Sequence, residues 1–189
     1  YFFMNFIAQV TISIVIYFIL RISIKRSSSL FIASVIAMLS YIALYLFAFN
    51  SITLLPTIHF IVTGLSLIIL FIAYYEILIL EKTVLKIKKG EFDESKTFSI
   101  ERTYKLVFKI LGVGLLFLSL ALISGLSIQS VFTVNLLMKT SFTVVAWIIY
   151  LVTLIGIKFF NFSIKYTVRG LFVSMWAVVF AYIASPYLI

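Results

Sequence analysis

The sequence contains no cysteine, two prolines, one histidine and only 11% charged residues. The absence of cysteine excludes disulfide bonds, thiolate metal sites and cysteine nucleophiles. Soluble domains carry roughly a quarter charged residues, so a chain with so few charges and 64% hydrophobic residues cannot cover itself with a polar surface in water. These deficits predict an integral membrane protein whose main partner is the lipid bilayer.

Acidic residues are scarce as well: the chain has six, against fifteen lysines and arginines, and carries a net charge of +9. The basic residues lie in a few short segments and form no patch interleaved with aromatic residues, so no nucleic-acid partner is expected. The sequence also lacks a His-x-x-Glu pair, a Walker loop and a Ser-His-Asp set on one side of the membrane. An enzyme is therefore not expected.

Six predominantly apolar runs are each long enough, at about 20 residues, to cross the hydrocarbon core as a helix. Runs such as residues 65–72 lack the alternation of apolar and polar residues that membrane strands show. The sequence therefore predicts an all-α integral membrane protein, a polytopic bundle of six transmembrane helices in a single domain. The predicted spans are residues 2–20, 30–49, 57–80, 106–126, 136–157 and 170–188.

The connections between these spans differ sharply in charge. All lysines and arginines except Lys139 lie in or beside the first, third and fifth connections, whereas residues 50–56 and 127–135 carry no charge. Because cytoplasmic loops carry the excess of basic residues, both ends of the chain are expected on the outer side of a bacterial inner membrane. An outward start at Tyr1 without a leader also predicts one or more further helices upstream.

The third connection, residues 81–105, is the only one with internal organisation. Lys82, Lys86 and Lys89 recur at helical spacing before Gly90, a residue that often ends helices in the left-handed conformation. The third helix is therefore expected to project about two turns into the cytoplasm. Residues 91–94 are then expected to form a loop, and Ser99 is expected to cap the fourth helix.

This segment has two interpretations. In the first, Lys86, Lys88 and Lys89 form a docking surface for another membrane protein of a larger complex. In the second, the segment is a solvated helix extension that anchors two spans.

Few ionisable side chains lie within the spans. His59 follows Pro56 at the outer end of the third span and can ligate a metal or haem iron, relay a proton, or hydrogen-bond a neighbouring loop. Glu76 lies about 25 Å further along the same helix, where it is expected to extend toward water, although intramembrane carboxylates are often functional. Lys139 is expected either to meet an anionic group or to anchor the fifth helix in the lipid interface.

Small and aromatic residues are the remaining candidates. Gly112, Gly114 and Gly125 suit close helix packing. Trp147 and Trp176 either line a cavity for a flat ligand or fill the bundle, and a buried indole N–H needs a hydrogen-bond partner.

Several short motifs resemble the cytochrome c assembly protein family, whose members handle haem during cytochrome c maturation. The likeness covers most of residues 57–189 and is greatest to the short, HemX-like inner-membrane branch, which usually has eight spans. It therefore implies that two helices are missing before Tyr1. The motifs are His59 with Ser66, SIER at 99–102, GVGLL at 112–116, SGL at 124–126, KTS at 139–141, VAWIIY at 145–150 and AYIAS at 181–185.

The resemblance implies a non-catalytic haem-handling function in cytochrome c biogenesis. His59 would be the axial ligand of haem on the outer face, Lys139 a partner of a propionate and Trp147 a wall of the cavity. The loop at 127–138 lacks the tryptophan-rich WWD motif of the large members, and of the family's haem-ligating histidines only His59 has a counterpart. Met138 or a second chain would supply any sixth ligand.

These departures leave an alternative open. The alternative is an interaction or regulatory subunit of a larger membrane complex, without a cofactor, that docks through residues 81–105. A transporter is less favoured, because no span has a proline or a charge near its middle.

Overall fold

The structure is a computed structural model that describes residues 2–23, 29–48, 54–90, 94–128, 134–160 and 163–183. All the regular structure within these residues is α-helical. The six helices are α1 (Phe2–Ser23), α2 (Ser29–Ala48), α3 (Leu54–Lys88), α4 (Glu94–Ile128), α5 (Val134–Phe159) and α6 (Ile164–Ile183).

The predicted all-α bundle is confirmed for the part of the chain that the structure describes. Each of the six helices is long and apolar enough to cross a membrane. Long runs of Leu, Ile, Val and Phe favour helices here because a helix satisfies its own backbone hydrogen bonds where few polar partners exist. The helices alternate in direction, so the bundle has a basic end, where α1, α3 and α5 finish, and an opposite end, where α2, α4 and α6 finish.

Helix α3 lies at the centre of the bundle. It contacts α1, α2, α4 and α6, while α5 packs between α4 and α6 and α1 pairs with α2. Within its apolar stretch 56% of the residues are buried, against 28–39% in the other five helices. The outward faces of the surrounding helices consist of large apolar side chains, such as Phe47, Leu116 and Ile22.

Aromatic rings packed against glycines join α2 to α3 and α5 to α4. The ring of Tyr41 in α2 covers Gly64, where a Cβ would collide with Cζ, and its hydroxyl donates to the carbonyl oxygen of Phe60 at 2.8 Å. Tyr150 in α5 covers Gly114 of α4 in the same way and donates to the carbonyl oxygen of Leu111 at 2.8 Å. Both contacts therefore need glycine, because a methyl group would displace a buried ring.

At the basic end, α3 and α4 extend beyond the apolar region. Helix α3 ends at Lys88, about two turns past Leu80 as predicted, and Gly90 has the predicted left-handed conformation with a φ of +85°. The prediction that Ser99 caps α4 is wrong, because α4 already begins at Glu94. Residues 91–93 of the predicted loop lie outside the described residues.

The start of α6 also differs from the prediction. The helix begins at Ile164 rather than at residue 170, so Lys165 and Arg169 belong to its first turns and not to a connection. Cations are tolerated in the first two turns of a helix when their long side chains reach the surface. Both Lys165 and Arg169 are exposed. The predicted end of this span at residue 188 lies outside the described residues.

Candidate functional site

His59 lies in the second turn of α3 at the opposite end of the bundle. The helix begins at Leu54, and Pro56 occupies its first turn, where a missing N–H costs no helical hydrogen bond. Nδ1 of His59 lies 3.0 Å from Oγ of Ser124 in α4. The imidazole is thus half-buried between two helices instead of facing a loop.

The surroundings of Ser124 favour one tautomer of this imidazole. The Ser124 hydroxyl lies 2.7 Å from the carbonyl oxygen of Leu120 and 3.2 Å from that of Ala121, and when it donates to either, its oxygen can accept a hydrogen from Nδ1. The main chain of Ala121 is also a partner of the ring. In the tautomer with its hydrogen on Nδ1, Nε2 keeps a lone pair for a ligand.

Gly125 allows the imidazole of His59 to pack closely against α4. A Cβ at this position would lie 3.0 Å from Cε1 of His59 and 3.7 Å from Nε2. Even an alanine here would require the ring to shift by a few tenths of an ångström. Of the glycines predicted to serve close packing, Gly114 and Gly125 do so, whereas Gly112 has open space around it.

The other two residues of the predicted haem site lie on α5. The ammonium group of Lys139 is close enough to act electrostatically on His59, so the structure brings these two residues to the same end of the bundle. Trp147 lies about 12 Å further along α5 and donates from Nε1 to Oγ of Ser119 at 2.8 Å. Trp147 thus joins α5 to α4 and lies deeper in the bundle than His59. Trp176 faces outward, with 44% of its surface exposed.

The remaining predicted residues are at the surface. Met138, the candidate for a weak second ligand, is exposed next to Lys139. Lys86, Lys88 and Lys89 are all exposed at the end of α3, at the basic end of the bundle. No group of three or more His, Cys, Asp or Glu side chains that could hold a metal ion occurs among the described residues.

A second polar cluster, which the sequence analysis missed, joins α1 to α3 near the basic end. Glu76 is only 1% exposed and forms a salt bridge with Arg21, in which Nε lies 2.7 Å from Oε1. Nη2 of Arg21 donates to Oε2 at 3.2 Å, and the hydroxyl of Tyr17 donates to Oε1 at 2.6 Å. The expectation that Glu76 extends toward water is therefore wrong: a carboxylate with three donors loses less by burial than an unpaired one.

The spacing of polar residues along α1 is the signal that could have revealed this cluster. Asn5, Gln9, Ser13, Tyr17 and Arg21 follow one another at intervals of four, which places them along one side of a helix. Gln9, Ser13 and Tyr17 are buried against the neighbouring helices. A lone buried carboxylate in an apolar helix bundle needs a cationic partner, and this stripe presents one at the same level of the bundle.

Comparison with the models of known protein families gives no match, and neither curated proteins nor solved structures match the chain. The arrangement of the side chains is consequently the basis for any functional assignment.

Proposed function

We propose that the chain is a multi-pass protein of the bacterial inner membrane, with the basic end of the bundle in the cytoplasm. The large apolar side chains on its outer faces support this setting: Phe47 is 90% exposed and Leu116 is 66% exposed. Soluble proteins rarely expose apolar patches of such extent. The proposed orientation rests on the positive-inside rule, since, of the basic residues that the structure describes, Lys139 alone lies toward the opposite end.

Within this setting we propose that the protein binds or escorts haem, without catalytic turnover, at His59. The observation that carries the proposal is the contact of His59 with Ser124, because it holds Nδ1 and leaves Nε2 as a nitrogen that can coordinate iron. Lys139 at the same end would pair with a propionate. Haem is the cargo here, and its iron would take one ligand from this chain.

An absorption spectrum of the detergent-purified protein, loaded with haem and then reduced, tests the proposal. We expect a Soret band that is lost in His59→Ala and restored when imidazole is added, since the added base can replace the missing side chain. Ser124→Ala serves as the matched variant: it keeps the ligand nitrogen and should weaken binding without abolishing the band. A flat spectrum of the wild-type protein, or a band that survives in His59→Ala, would overturn the proposal.

A second candidate is an interaction subunit that docks through Lys86, Lys88 and Lys89. The exposed position of all three lysines on the projecting end of α3 favours this function. Replacing the three by glutamate should release a co-purifying membrane partner. The control replaces Lys158, Lys165 and Arg169 by glutamate, which reverses as many charges at the same end; equal release by both variants would reject a specific surface.

A further inference from the structure

A groove runs between α5 and α6 at the basic end of the bundle. It has a volume of about 670 Å³. Its α5 wall is mainly aliphatic, with Ile148, Ile149 and Val152 beside Thr153, and Ser163 and Tyr166 line it at the start of α6. From Ile148 to the end of α5 at Phe159 the helix rises by about 17 Å, which is close to the thickness of one leaflet, about half of a 30 Å hydrocarbon core.

The part of the sequence that forms this groove supplies no acidic partner for the basic residues around it. Lys158 ends α5, and Lys165 and Arg169 lie in the first turns of α6; all three are exposed. The chain contains no aspartate or glutamate after Glu101. In the part of the chain that the structure describes, none of the three cations forms a salt bridge, and the ammonium group of Lys158 lies over the ring of Phe159.

The positions of the charges relative to the groove restrict the ligand. Arg169 lies one helical turn from Tyr166 on the exposed side of α6, and Lys165 directly precedes Tyr166. A ligand that fits must therefore place an anionic group at the start of α6 and an apolar chain along α5. A free phosphate would satisfy only the cations, and an uncharged lipid would satisfy only the apolar wall.

We propose that the α5–α6 groove binds an anionic phospholipid, with its phosphate between Lys165 and Arg169 and an acyl chain along Ile148 and Val152. Basic sites between helices on the cytoplasmic side of membrane proteins recognise such headgroups. The site rests on the membrane setting proposed above, but it is independent of haem and of His59.

Native mass spectrometry of the full chain in detergent tests the site, with phosphatidylglycerol and phosphatidylcholine added separately. We expect retained phosphatidylglycerol and little phosphatidylcholine. The variant Lys165→Gln/Arg169→Gln should weaken retention by about 30-fold, the loss expected for two membrane-facing cations. Arg102→Gln/Lys109→Gln is the matched control, because it removes the same charge from exposed positions of α4 at the same end and should change retention less than about twofold.

A second variant tests the apolar half of the site. Val152→Trp fills the groove from an exposed position and should displace the lipid while all cations remain. Equal losses in the α6 and α4 charge variants would show diffuse surface attraction and overturn the proposal. So would equal retention of the two lipids, displacement of the lipid by inorganic phosphate, or full retention in Val152→Trp.

Discussion

The α1–α3 and α5–α6 interfaces differ in where their charged side chains lie. Between α1 and α3, a carboxylate that is 1% exposed meets its guanidinium partner within the bundle. Between α5 and α6, all cations are on the surface, and the buried contacts are neutral: Oγ of Ser174 donates to the carbonyl oxygen of Ala146 at 2.9 Å, and Thr153 packs against Gly170.

The difference shows where each counter-charge comes from. A buried charge without a partner costs several kcal/mol, so the chain must supply both Arg21 and Glu76. An exposed cation is stabilised by water, salt or lipid headgroups and needs no partner from the same chain. The charged residues of the first interface therefore contribute to folding, while the exposed cations around the second need no partner within the bundle.

Arg21→Ala should have the largest effect on stability. It leaves the Glu76 carboxylate buried with only the hydroxyl of Tyr17 as a partner, and removing one member of a buried pair costs about 3–5 kcal/mol. Thermal and denaturant unfolding in detergent would measure the loss. Arg169→Ala, the same type of substitution at the α5–α6 interface, should change the free energy of unfolding by less than about 0.5 kcal/mol. Similar losses in the two variants would contradict the difference between the two interfaces.

Tyr17→Phe should be the next most harmful change. It removes a hydrogen bond to a charged acceptor, worth about 1.5–3 kcal/mol. Tyr150→Phe is its control, because that hydroxyl is equally buried but donates to a neutral carbonyl, for which about 0.5–1.5 kcal/mol is expected. If unfolding experiments show the larger loss in Tyr150→Phe, the carboxylate at position 76 is not the stronger acceptor.

Gly170→Ala should destabilise the neutral interface by a similar or smaller amount. The new Cβ would collide with Oγ1 of Thr153, and overpacking of this kind costs about 1–3 kcal/mol. Gly112→Ala has open space and should instead stabilise its helix by about 0.5–1 kcal/mol. Midpoints of unfolding for the two alanine variants should therefore move in opposite directions, and a shift in the same direction would contradict the packing of α5 on α6.

The number and type of helices were predictable from the sequence because length and hydropathy alone identify a helix that can cross a bilayer. The start of α6 was not, since Lys165 and Arg169 look like loop residues until their side chains are seen at the surface. The burial of Glu76 was not predicted either, because its salt bridge with Arg21 depends on how α1 and α3 pack. The sequence predicted that His59 lies near a helix end. Its contact with Ser124 could not be predicted, because it depends on how α3 packs against α4.

The salt bridge between α1 and α3 also has a consequence for biosynthesis. Arg21 is made 55 residues before Glu76, and an unpaired charged side chain within a membrane is costly. In the proposed membrane setting, the arginine of α1 is therefore already present to neutralise the carboxylate when the central helix enters the lipid.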